Sequence, residues 1–327
     1  MKNNKKKKEL TNEITFNMDI DLVYLWVNGN DPQWQAKRNA LIGKTEEKSS
    51  ANCEGRYANN DELKYSLRSI ELYAPWIRKI FIVTDNQIPE WLDTSNPKVK
   101  IIDHKDIMPP QALPCFNSNV IEHFIYRIPE LSEHYLYAND DMFLNKPTTP
   151  STFFTSEGYP IIRFNRRPFR KLTLLFKEKV LKKQLSQYVQ AIRNSANLVD
   201  KKYGIYYGGK THHNIDSYRK SDCEYTRKVF NTEIESTISN HVRKSNDIQR
   251  NIYSYVPLAE KRAQLHYVTR KTSFRFHIQN ESHYEKLGKT NPLFFCMNDS
   301  EHAKDSDRKR AAAFLVKHFP NKSQFEK

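Results

Sequence analysis

Two adjacent aspartates follow a short apolar run near the middle of the chain. The run Tyr135–Ala138 is typical of a buried strand, and Asn139, Asp140 and Asp141 follow it directly. Neighbouring carboxylates repel each other unless a cation lies beside them, and their oxygens suit a hard divalent cation. The stretch therefore indicates metal ligands at the carboxyl end of a strand, although an Asn-Asp turn that merely ends a strand has the same composition.

A second stretch of the same kind lies near the end of the chain. The apolar run Phe294–Met297 is followed by Asn298 and Asp299, so another strand end offers an amide and a carboxylate. Two such ends could meet on one cation.

Other residues that could do chemistry lie between these two stretches. The densest histidine site is Lys210–Asp216, which contains His212 and His213. Adjacent histidines lack the helical H-x-x-x-H spacing of zinc enzymes, so a structural role stays open beside a catalytic one. Arg243 and Asp247 lie in a segment that we predict to be helical.

The elements that must position these residues alternate between strand and helix. Strands are predicted at Asp19–Val27, Ile77–Thr84, Val99–Asp103 and just before the aspartate pair. Helices are predicted from Pro32 through Leu41, after a cap at Asn59 or Asn60, and after a cap at Ser118 with Val120, Ile121, Phe124, Ile125 and Ile128 as its buried stripe. This order indicates an α/β fold with a mainly parallel, doubly wound sheet.

The turn after the first strand is a candidate ligand-binding segment. Asn28, Gly29 and Asp31 lie between that strand and its helix, an arrangement that presents backbone N–H groups to a phosphate or sugar. Asp85 ends the second strand and is a further candidate substrate-binding residue. Neither the G-x-G-x-x-G nor the G-x-x-x-x-G-K-[ST] motif occurs, so nucleotide binding of those two kinds is not supported. Arg68 is either a surface residue or a diphosphate ligand.

Length, composition, net charge and cysteine number limit the class of protein and its partners. With 327 residues, 38% of them hydrophobic, the chain can bury a large core. Its net charge of +15 implies anionic partners, which could be phosphates, an acidic polymer, nucleic acid or a membrane surface. The four cysteines stand far apart, which favours reduced thiols over zinc binding or disulfides. No stretch is apolar enough to span a bilayer.

Two basic segments stand out. Residues 1–18, with the run Lys2–Lys8, are predicted to be a solvated tail that could also contact anionic lipid. Residues from about 160 to 205 are predicted to form a basic, largely helical insertion. Basic and aromatic residues together also fit single-stranded nucleic acid, but no recognisable motif accompanies them, so we expect no nucleic-acid partner. Arg310–Phe319 is predicted to be an amphipathic helix, followed by an end that frays.

Taken together, these stretches resemble the Stealth family. Its members include bacterial capsular polysaccharide phosphotransferases and the animal enzyme that puts N-acetylglucosamine-1-phosphate on lysosomal glycoproteins. The resemblance covers four blocks in the family's order: Ile20–Pro32, Asn59–Leu92 with Tyr137–Phe143, His212–Asp216 with Val242–Gln249, and Phe294–Asp299. It implies one catalytic domain over residues 19–327 with a Rossmann or GT-A-like fold.

The resemblance also implies a reaction and its residues. The reaction is transfer of a sugar-1-phosphate from a UDP-sugar to an acceptor hydroxyl group. Family positions important for activity fall on Glu122, Asp141, His213 and Arg243, and the family's last acidic position falls on Asp299. This chain departs from the family pattern at Asn28, where many bacterial members have Asp, and at Lys64, where Arg is common. An amide at position 28 cannot act as an anionic ligand or base.

These positions suggest a division of labour. Asp141 and Asp299, with Asp140 beside them, are expected to hold Mg²⁺ or Mn²⁺ against the diphosphate. Arg243 and Arg68 are expected to stabilise the phosphate oxygens, and Asn139 to contact the substrate. His213 or Glu122 would take the acceptor's proton, and histidine is favoured because its ordinary pKa lies near neutrality.

Three functions follow in order of preference. The first is transfer of a hexose-1-phosphate to a growing capsular or other cell-surface polysaccharide, or to a lipid-linked glycan, with release of UMP. The second is a metal-dependent glycosyltransferase that releases UDP, and the third is a polyanion-binding protein without catalysis. The resemblance favours a bacterial cytoplasmic enzyme with peripheral contact at the inner face of the plasma membrane.

Overall fold

The computed structural model describes residues 18–42, 59–300 and 302–327. The predicted basic tail, apart from its last residue, and Cys53 lie outside these ranges. The strands are β1 (Ile20–Leu25), β2 (Ile80–Thr84), β3 (Val99–Asp103), β4 (His134–Asn139), β5 (Met142–Leu144), β6 (Ile161–Phe164), β7 (Asp216–Arg219), β8 (Gln264–Tyr267), β9 (Ser273–His277) and β10 (Phe294–Asn298).

The helices alternate with the strands in the first half of the chain and dominate the second half. They are α1 (Pro32–Ile42), α2 (Glu62–Tyr73), α3 (His104–Ile107), α4 (Ser118–Ile121), α5 (Arg170–Lys179), α6 (Gln187–Tyr203), α7 (Lys220–Val229), α8 (Asn231–Glu235), α9 (Ile252–Ala259), α10 (Glu281–Thr290) and α11 (Asp305–His318). Short 3₁₀ helices cover Pro110–Ala112, Glu122–Arg127 and Pro150–Thr152.

The main sheet of the described residues has the strand order β3-β2-β1-β4-β7. The first four strands in this order are parallel to their neighbours, and β7 is antiparallel at the edge. The predicted α/β fold with a mainly parallel sheet is therefore confirmed. From β1 the chain adds β2 and β3 on one side, and it then returns to add β4 on the other side of β1. Open α/β sheets bind ligands at such a switch point, beyond the carboxyl ends of the strands.

Both faces of this sheet are covered, as its apolar strands require. Val23 and Phe81 pack into the core on one face, whereas Leu22 and Tyr24 pack into the core on the other. Asp21 is the exception in β1, because its buried carboxylate pairs with Arg78 at 2.6 Å.

A second sheet has the order β5-β10-β9. β5 begins after only Asp140 and Asp141, and it pairs antiparallel with β10, which runs parallel to β9. The rings of Phe143 and Phe295 stack at 4.7 Å in its core. The chain thus passes from the first sheet into the second at the predicted carboxylate pair.

The basic insertion is helical over α5 and α6, as predicted, but it also contains a strand. β6 lies at the start of this segment and pairs in parallel with β8, more than 90 residues later in the chain. The prediction missed this strand because its partner is distant and the run Ile161–Phe164 has no polar–apolar alternation: all four residues are buried.

Two predicted helix caps are wrong. Asp61, with a φ of 62°, precedes α2, and the backbone N–H and side-chain amide of Asn60 instead bind the carboxylate of Glu62, both at 2.8 Å. Asn117, rather than Ser118, caps α4. The apolar stripe predicted for that helix is buried, but its second half is a 3₁₀ helix.

The predicted fraying of the C-terminal residues is also wrong. α11 is longer than predicted, and the chain then returns to the main sheet. Phe325 is only 1% exposed, and its carbonyl accepts a hydrogen bond from the N–H of Asp93 at 2.9 Å.

Two further expectations concern thiols and the bilayer. Cys115, Cys223 and Cys296 are buried and free of disulfides. Within the described ranges, no helix combines the length and the apolar composition needed to cross a membrane.

Candidate active site

A cavity of about 700 Å³ lies where the carboxyl ends of β1, β4 and β10 meet. It brings together predicted residues from distant parts of the chain: Asp85, Asn139, Asp140, Asp141, His213, Arg243 and Asp299. Its wall does not include five other predicted residues, all of which the structure describes: Asn28, Gly29, Asp31, Arg68 and Glu122.

The ends of β4 and β10 are joined directly at this cavity. The carbonyl of Asp141 accepts a hydrogen bond from the N–H of Met297 at 3.0 Å, and the thiol of Cys296 lies 3.1 Å from Asp141 Oδ2. The two Asn-Asp stretches therefore do meet, as the sequence suggested.

Acidic groups gather in this corner of the cavity, and their ionisation is disfavoured. Burial raises the pKa of Asp140 well above its ordinary value, and the charges of Glu62 and Asp141 raise it further. Burial also raises the pKa of Asp141, and it raises the pKa of Glu62 to about 7. A positive charge placed between these carboxylates would reverse the effect. The sequence analysis did not identify Glu62 as a residue of the site.

The donors in this corner fit a hard divalent cation. Asp141 Oδ1 and Asn298 Oδ1 are buried and have no hydrogen-bond partner among the described residues. Mg²⁺ is usually held by one or two carboxylates, with substrate phosphates and waters as its remaining ligands. No group of three or more His, Cys, Asp or Glu side chains in the described ranges is arranged to hold a metal ion by itself.

Asp299 lies in the cavity wall but is already paired. Its Oδ2 accepts a hydrogen bond from Arg308 Nε at 2.8 Å, and its Oδ1 accepts one from the N–H of Ser300 at 2.6 Å. Because this ion pair competes with a cation for the carboxylate, Asp140 and Asp141 are stronger candidates for metal ligands than Asp299.

The two adjacent histidines have different surroundings. Nδ1 of His212 lies 2.9 Å from the hydroxyl of Ser273, which anchors this ring. His213 lines the cavity, and its buried Nε2 has no partner in the described part of the chain. Burial, followed by the charges of Arg275 and Lys210, holds the pKa of His213 well below 6.5. The imidazole is therefore neutral near pH 7 and can accept a proton.

The backbone at His213 is also unusual. Its φ is +45°, in the left-handed region that non-glycine residues seldom adopt. Outliers of this kind cluster at functional sites, where the surrounding structure imposes them.

Arg243 reaches the cavity from a loop and not from the predicted helix. Its Nη2 donates a hydrogen bond to the hydroxyl of Ser118 at 2.8 Å. The buried carboxylate of Asp247 organises this loop, because it accepts hydrogen bonds from the side-chain amides of Asn117, Asn119 and Asn240 at 2.7–3.0 Å. The helical prediction failed because these partners satisfy the loop's polar groups in another conformation.

Glu122 lies behind the cavity wall in a buried network. The Tyr137 hydroxyl is 2.9 Å from both Glu122 Oε1 and Asn139 Oδ1, so it links this carboxylate to the wall. Arg250 lies 3.4 Å from Glu122 and 2.6 Å from Asp216. Burial raises the pKa of Glu122 and the charge of Arg250 opposes the rise. This position favours an indirect role for Glu122, through Tyr137 and Asn139, over direct proton transfer.

Two glutamines, Gln87 and Gln35, hold the turn after β1. Gln87 accepts a hydrogen bond from the N–H of Asn28 at 2.9 Å and donates to the Asp31 carboxylate at 2.8 Å. Gly29 is held through its carbonyl, which accepts a hydrogen bond from the side chain of Gln35 at 2.7 Å. These three residues shape the turn, while Trp26 and Val27 just before it line the cavity.

Asp85 and Arg68, both predicted substrate ligands, are paired within the protein. Asp85 lines the cavity and binds Lys37 at 2.8 Å. Arg68 lies away from the cavity, where Nε and Nη2 bind Glu326 at 2.8 and 2.6 Å and Nη1 binds the Phe319 carbonyl at 2.7 Å. The prediction of a diphosphate ligand at Arg68 is therefore replaced by a role in anchoring the C-terminal segment.

Cations that the sequence analysis did not assign to the site line the cavity. Arg275 projects from β9, and its buried Nε has no partner within the described residues. Burial, with the charges of Arg275, Arg167 and Arg170, lowers the pKa of Lys210 to about 8. Lys210 lies two residues before the histidine pair, whereas no local pattern in the sequence marks Arg275. With Arg243, these residues place positive charge in the same cavity as the acidic corner.

Comparison with family models identifies two matching regions. Conserved region 1 of Stealth proteins matches residues 18–46, and conserved region 2 matches residues 56–162.

Similar proteins span most of the chain. The capsular polysaccharide phosphotransferase fcs1 of Haemophilus influenzae is 35% identical over 292 residues, 86% of this chain and 78% of that protein. The capsular polysaccharide phosphotransferase LcbA of Aeromonas hydrophila is 30% identical over 95% of this chain and 87% of its own length. The exopolysaccharide phosphotransferase SCO2592 of Streptomyces coelicolor is 33% identical over 98% of this chain, which spans 34% of that longer protein.

Solved structures show a more distant likeness. The galactosyltransferase LgtC, with donor and acceptor sugar analogs, aligns with a TM-score of 0.43 and 10% identity over 92% of this chain and 95% of its own. The bifunctional glycosyltransferase WbbM aligns with a TM-score of 0.43 and 8% identity over 94% of this chain and 50% of its own. Structural similarity this low does not indicate that the proteins share a reaction.

Proposed function

Because this chain belongs to the Stealth family of capsular and exopolysaccharide phosphotransferases, we propose that it transfers a sugar-1-phosphate from a UDP-sugar to a polysaccharide hydroxyl group. UMP is the leaving group. The observation that carries the proposal is the presence, in one cavity, of an acidic corner, three cationic side chains and a neutral histidine.

The donor diphosphate fits the charged part of the cavity. Arg243, Arg275 and Lys210 supply positive charge for the phosphate oxygens. Asp140 and Asp141 would hold Mg²⁺ or Mn²⁺, which supplies further charge neutralisation when it is bound. A bound cation would favour the ionised carboxylates and so oppose the rise in their pKa values that burial causes.

The apolar part of the cavity fits the nucleoside. Trp34 and Phe116 line it with their ring centroids 5.3 Å apart, and Trp26 and Val27 lie at the adjacent end of β1. Aromatic faces of this kind accept a flat base by stacking. The cavity volume of about 700 Å³ lies within the usual range for small-molecule sites.

The chemical step follows from the position of His213. Its Nε2 takes the proton of the acceptor hydroxyl as the acceptor oxygen bonds to the β-phosphorus. The bond from this phosphorus to the bridging oxygen breaks, and UMP leaves with the electron pair. The bond between the anomeric carbon and its oxygen is not cut, so the configuration of the sugar is retained.

The acceptor is a cell-surface polysaccharide or a lipid-linked glycan. The names of the relatives support the polysaccharide, and Lys210 in the cavity wall supplies a cation for an acceptor chain that carries phosphates. The family assignment argues against a polyanion-binding protein without catalysis.

Product analysis tests this function. The purified protein is incubated with a panel of UDP-sugars, Mg²⁺ or Mn²⁺ and acceptor glycans, and the nucleotides are separated. UMP that forms only with acceptor and metal supports sugar-1-phosphate transfer. UDP in its place would instead support the metal-dependent glycosyltransferase, in which the same carboxylates assist cleavage of the bond between the anomeric carbon and the diphosphate oxygen.

A further inference from the structure

Helix α5 and the residues beside it present large apolar side chains to solvent. Phe169, Leu172, Phe176, Val180 and Leu181 are 76%, 64%, 53%, 61% and 47% exposed. They are five of the twelve large hydrophobic residues that are exposed in the described ranges. Single exposed apolar residues are normal, whereas a cluster of this kind marks an interaction surface. We refer to residues 166–183 as the α5 surface.

The apolar side chains form a stripe on one side of the helix. Phe169, Leu172, Phe176 and Val180 are spaced by three or four residues, which places them on one helical face. Leu174, on the other side, is buried and only 3% exposed. The helix is held against α6 through its side chains, among them Glu178, which pairs with Arg193 at 2.8 Å. The stripe is therefore not the face by which α5 packs on the protein.

The same surface is strongly basic. Residues 166–183 contain eight Lys and Arg and a single acidic residue, Glu178, so the net charge is +7. Lys177, Lys179, Lys182 and Lys183 lie among the apolar residues of the stripe, and all four are exposed. A helix with an apolar stripe flanked by lysines is suited to lie at the boundary between lipid headgroups and acyl chains. Each basic residue adds attraction to anionic headgroups.

We propose that the α5 surface docks this protein on an anionic lipid bilayer, with Phe169, Leu172 and Phe176 inserted below the headgroups. A soluble polysaccharide would match the lysines but would leave Leu172 and Val180 of the stripe without an apolar partner. The bilayer matches both features, because it offers negative charge above an apolar layer.

This docking surface adjoins the candidate active site. The N–H of Asn165 donates a hydrogen bond to the carbonyl of Lys210 at 3.0 Å, and Lys210 lines the cavity. Gly208 lies against the start of α5, where a Cβ atom would come within 2.6 Å of Arg170 Cβ. A docked α5 surface therefore brings the cavity close to the bilayer, where a lipid-linked acceptor would be held. This last consequence rests on the proposed function, but binding to the bilayer does not.

Vesicle binding tests the proposal without any measurement of activity. The full chain is sedimented with vesicles of phosphatidylcholine, with and without phosphatidylglycerol, at low and high salt. We expect binding that requires phosphatidylglycerol and weakens with salt. Leu172→Ser/Phe176→Ser should lower the partition coefficient about tenfold or more, because two large apolar side chains are lost from the bilayer.

Matched control variants distinguish binding by the α5 surface from nonspecific binding by exposed residues elsewhere. Leu72→Ser/Val316→Ser removes two apolar side chains that are 59% and 52% exposed elsewhere, and it should leave vesicle binding unchanged. Lys179→Glu/Lys183→Glu should weaken binding more than Lys286→Glu/Lys322→Glu, which changes the net charge equally. The run Lys2–Lys8 is present in every variant and contributes equally to each.

Three results would overturn the proposal. One is binding that does not differ between the α5 variants and their controls. Another is a dimer in solution that Leu172→Ser/Phe176→Ser dissociates while vesicle binding is absent, which would make the stripe an interface between two copies of the chain. The third is binding of a soluble acceptor glycan, but not of vesicles, that the same variant abolishes. Circular dichroism and turnover with a soluble acceptor establish that each variant is folded.

Discussion

The carbonyl of Asp141 and the N–H of Met297 form a hydrogen bond of 3.0 Å that joins the end of β4 to β10. More than 150 residues separate the two along the chain. The bond fixes the carboxylate of Asp141 at the junction of two sheets, with the thiol of Cys296 3.1 Å from its Oδ2. Its Oδ1 has no hydrogen-bond partner among the residues that the structure describes. The backbone thus positions the carboxylate while one of its oxygens stays available to a ligand.

Asp141→Asn should abolish most activity without weakening the fold. The raised pKa of Asp141 means that its negative charge is unfavourable in the absence of a cation, so an amide should not lower the melting temperature. We expect turnover to fall about a hundredfold or more, because the charge that holds the cation is lost. The stabilisation by Mg²⁺ or Mn²⁺ in thermal unfolding should also disappear. Asp19→Asn, at an exposed position, should change neither, and retained turnover in Asp141→Asn would refute the metal assignment.

His213→Gln should lower turnover about a hundred- to ten-thousandfold while binding of the UDP-sugar persists. The base acts in its neutral form, so activity is complete above the pKa of His213 and declines as the pH falls through it. The acid limb is the part of the pH profile in which kcat/KM falls as the pH is lowered. Because the pKa of His213 lies well below 6.5, the midpoint of this limb at saturating metal should also lie below pH 6.5. His212→Gln should cost less, since that ring is anchored to Ser273. If the His213→Gln variant kept the acid limb of the wild-type protein, His213 would be excluded as the base.

Arg275→Gln should move the acid limb of kcat/KM to higher pH. After burial, the charge of Arg275 is the largest cause of the lowered pKa of His213, and its removal makes the imidazolium less costly. The KM for the UDP-sugar should rise as well, because a cation facing the diphosphate is lost. Arg270→Gln, at an exposed site in the turn before β9, serves as the control. An unchanged pH profile would mean that Arg275 does not act on His213.

Glu122→Gln should lower activity but leave the acid limb in place. The amide keeps a hydrogen-bond acceptor near the Tyr137 hydroxyl, and Tyr137 still reaches Asn139. We therefore expect a raised KM for the donor through a displaced Asn139, with a pH dependence that His213 still sets. Loss of the acid limb in this variant would identify Glu122 as the base in place of His213.

Arg68→Ala should lower the stability of the protein and leave the KM for the UDP-sugar unchanged. Its pair with Glu326 is largely buried, with side-chain exposures of 13% and 5%, so removal of one partner should cost about 2–3 kcal/mol of unfolding free energy. Lys79→Ala breaks the exposed pair with Glu130 and should cost much less, because solvent screens that pair. Denaturant unfolding measures both. A higher KM for the UDP-sugar in Arg68→Ala, at unchanged stability, would restore the diphosphate role.

The local pattern of the sequence was sufficient for much of the fold. Apolar runs that end in Asn-Asp predicted β4 and β10, and their alternation with helices predicted the parallel sheet. Since the carboxyl ends of parallel strands share one edge, the placement of Asn139, Asp140 and Asp141 at a cavity followed from the same pattern. These predictions succeed because strand and helix periodicity depend on residues only a few positions apart.

Tertiary packing decided which polar residues are available for chemistry. Arg68 and Arg275 both appear in the sequence as arginines in apolar surroundings, but Glu326 pairs with the first, while the second has a buried Nε without a partner among the described residues. Arg243 lies in a loop and not in a helix because Asp247 accepts hydrogen bonds from the amide of the distant Asn117 and from that of Asn240 at the start of the same loop. The energy of an ion pair or a buried hydrogen bond depends on groups brought together from distant parts of the chain, and local periodicity contains no information about those partners.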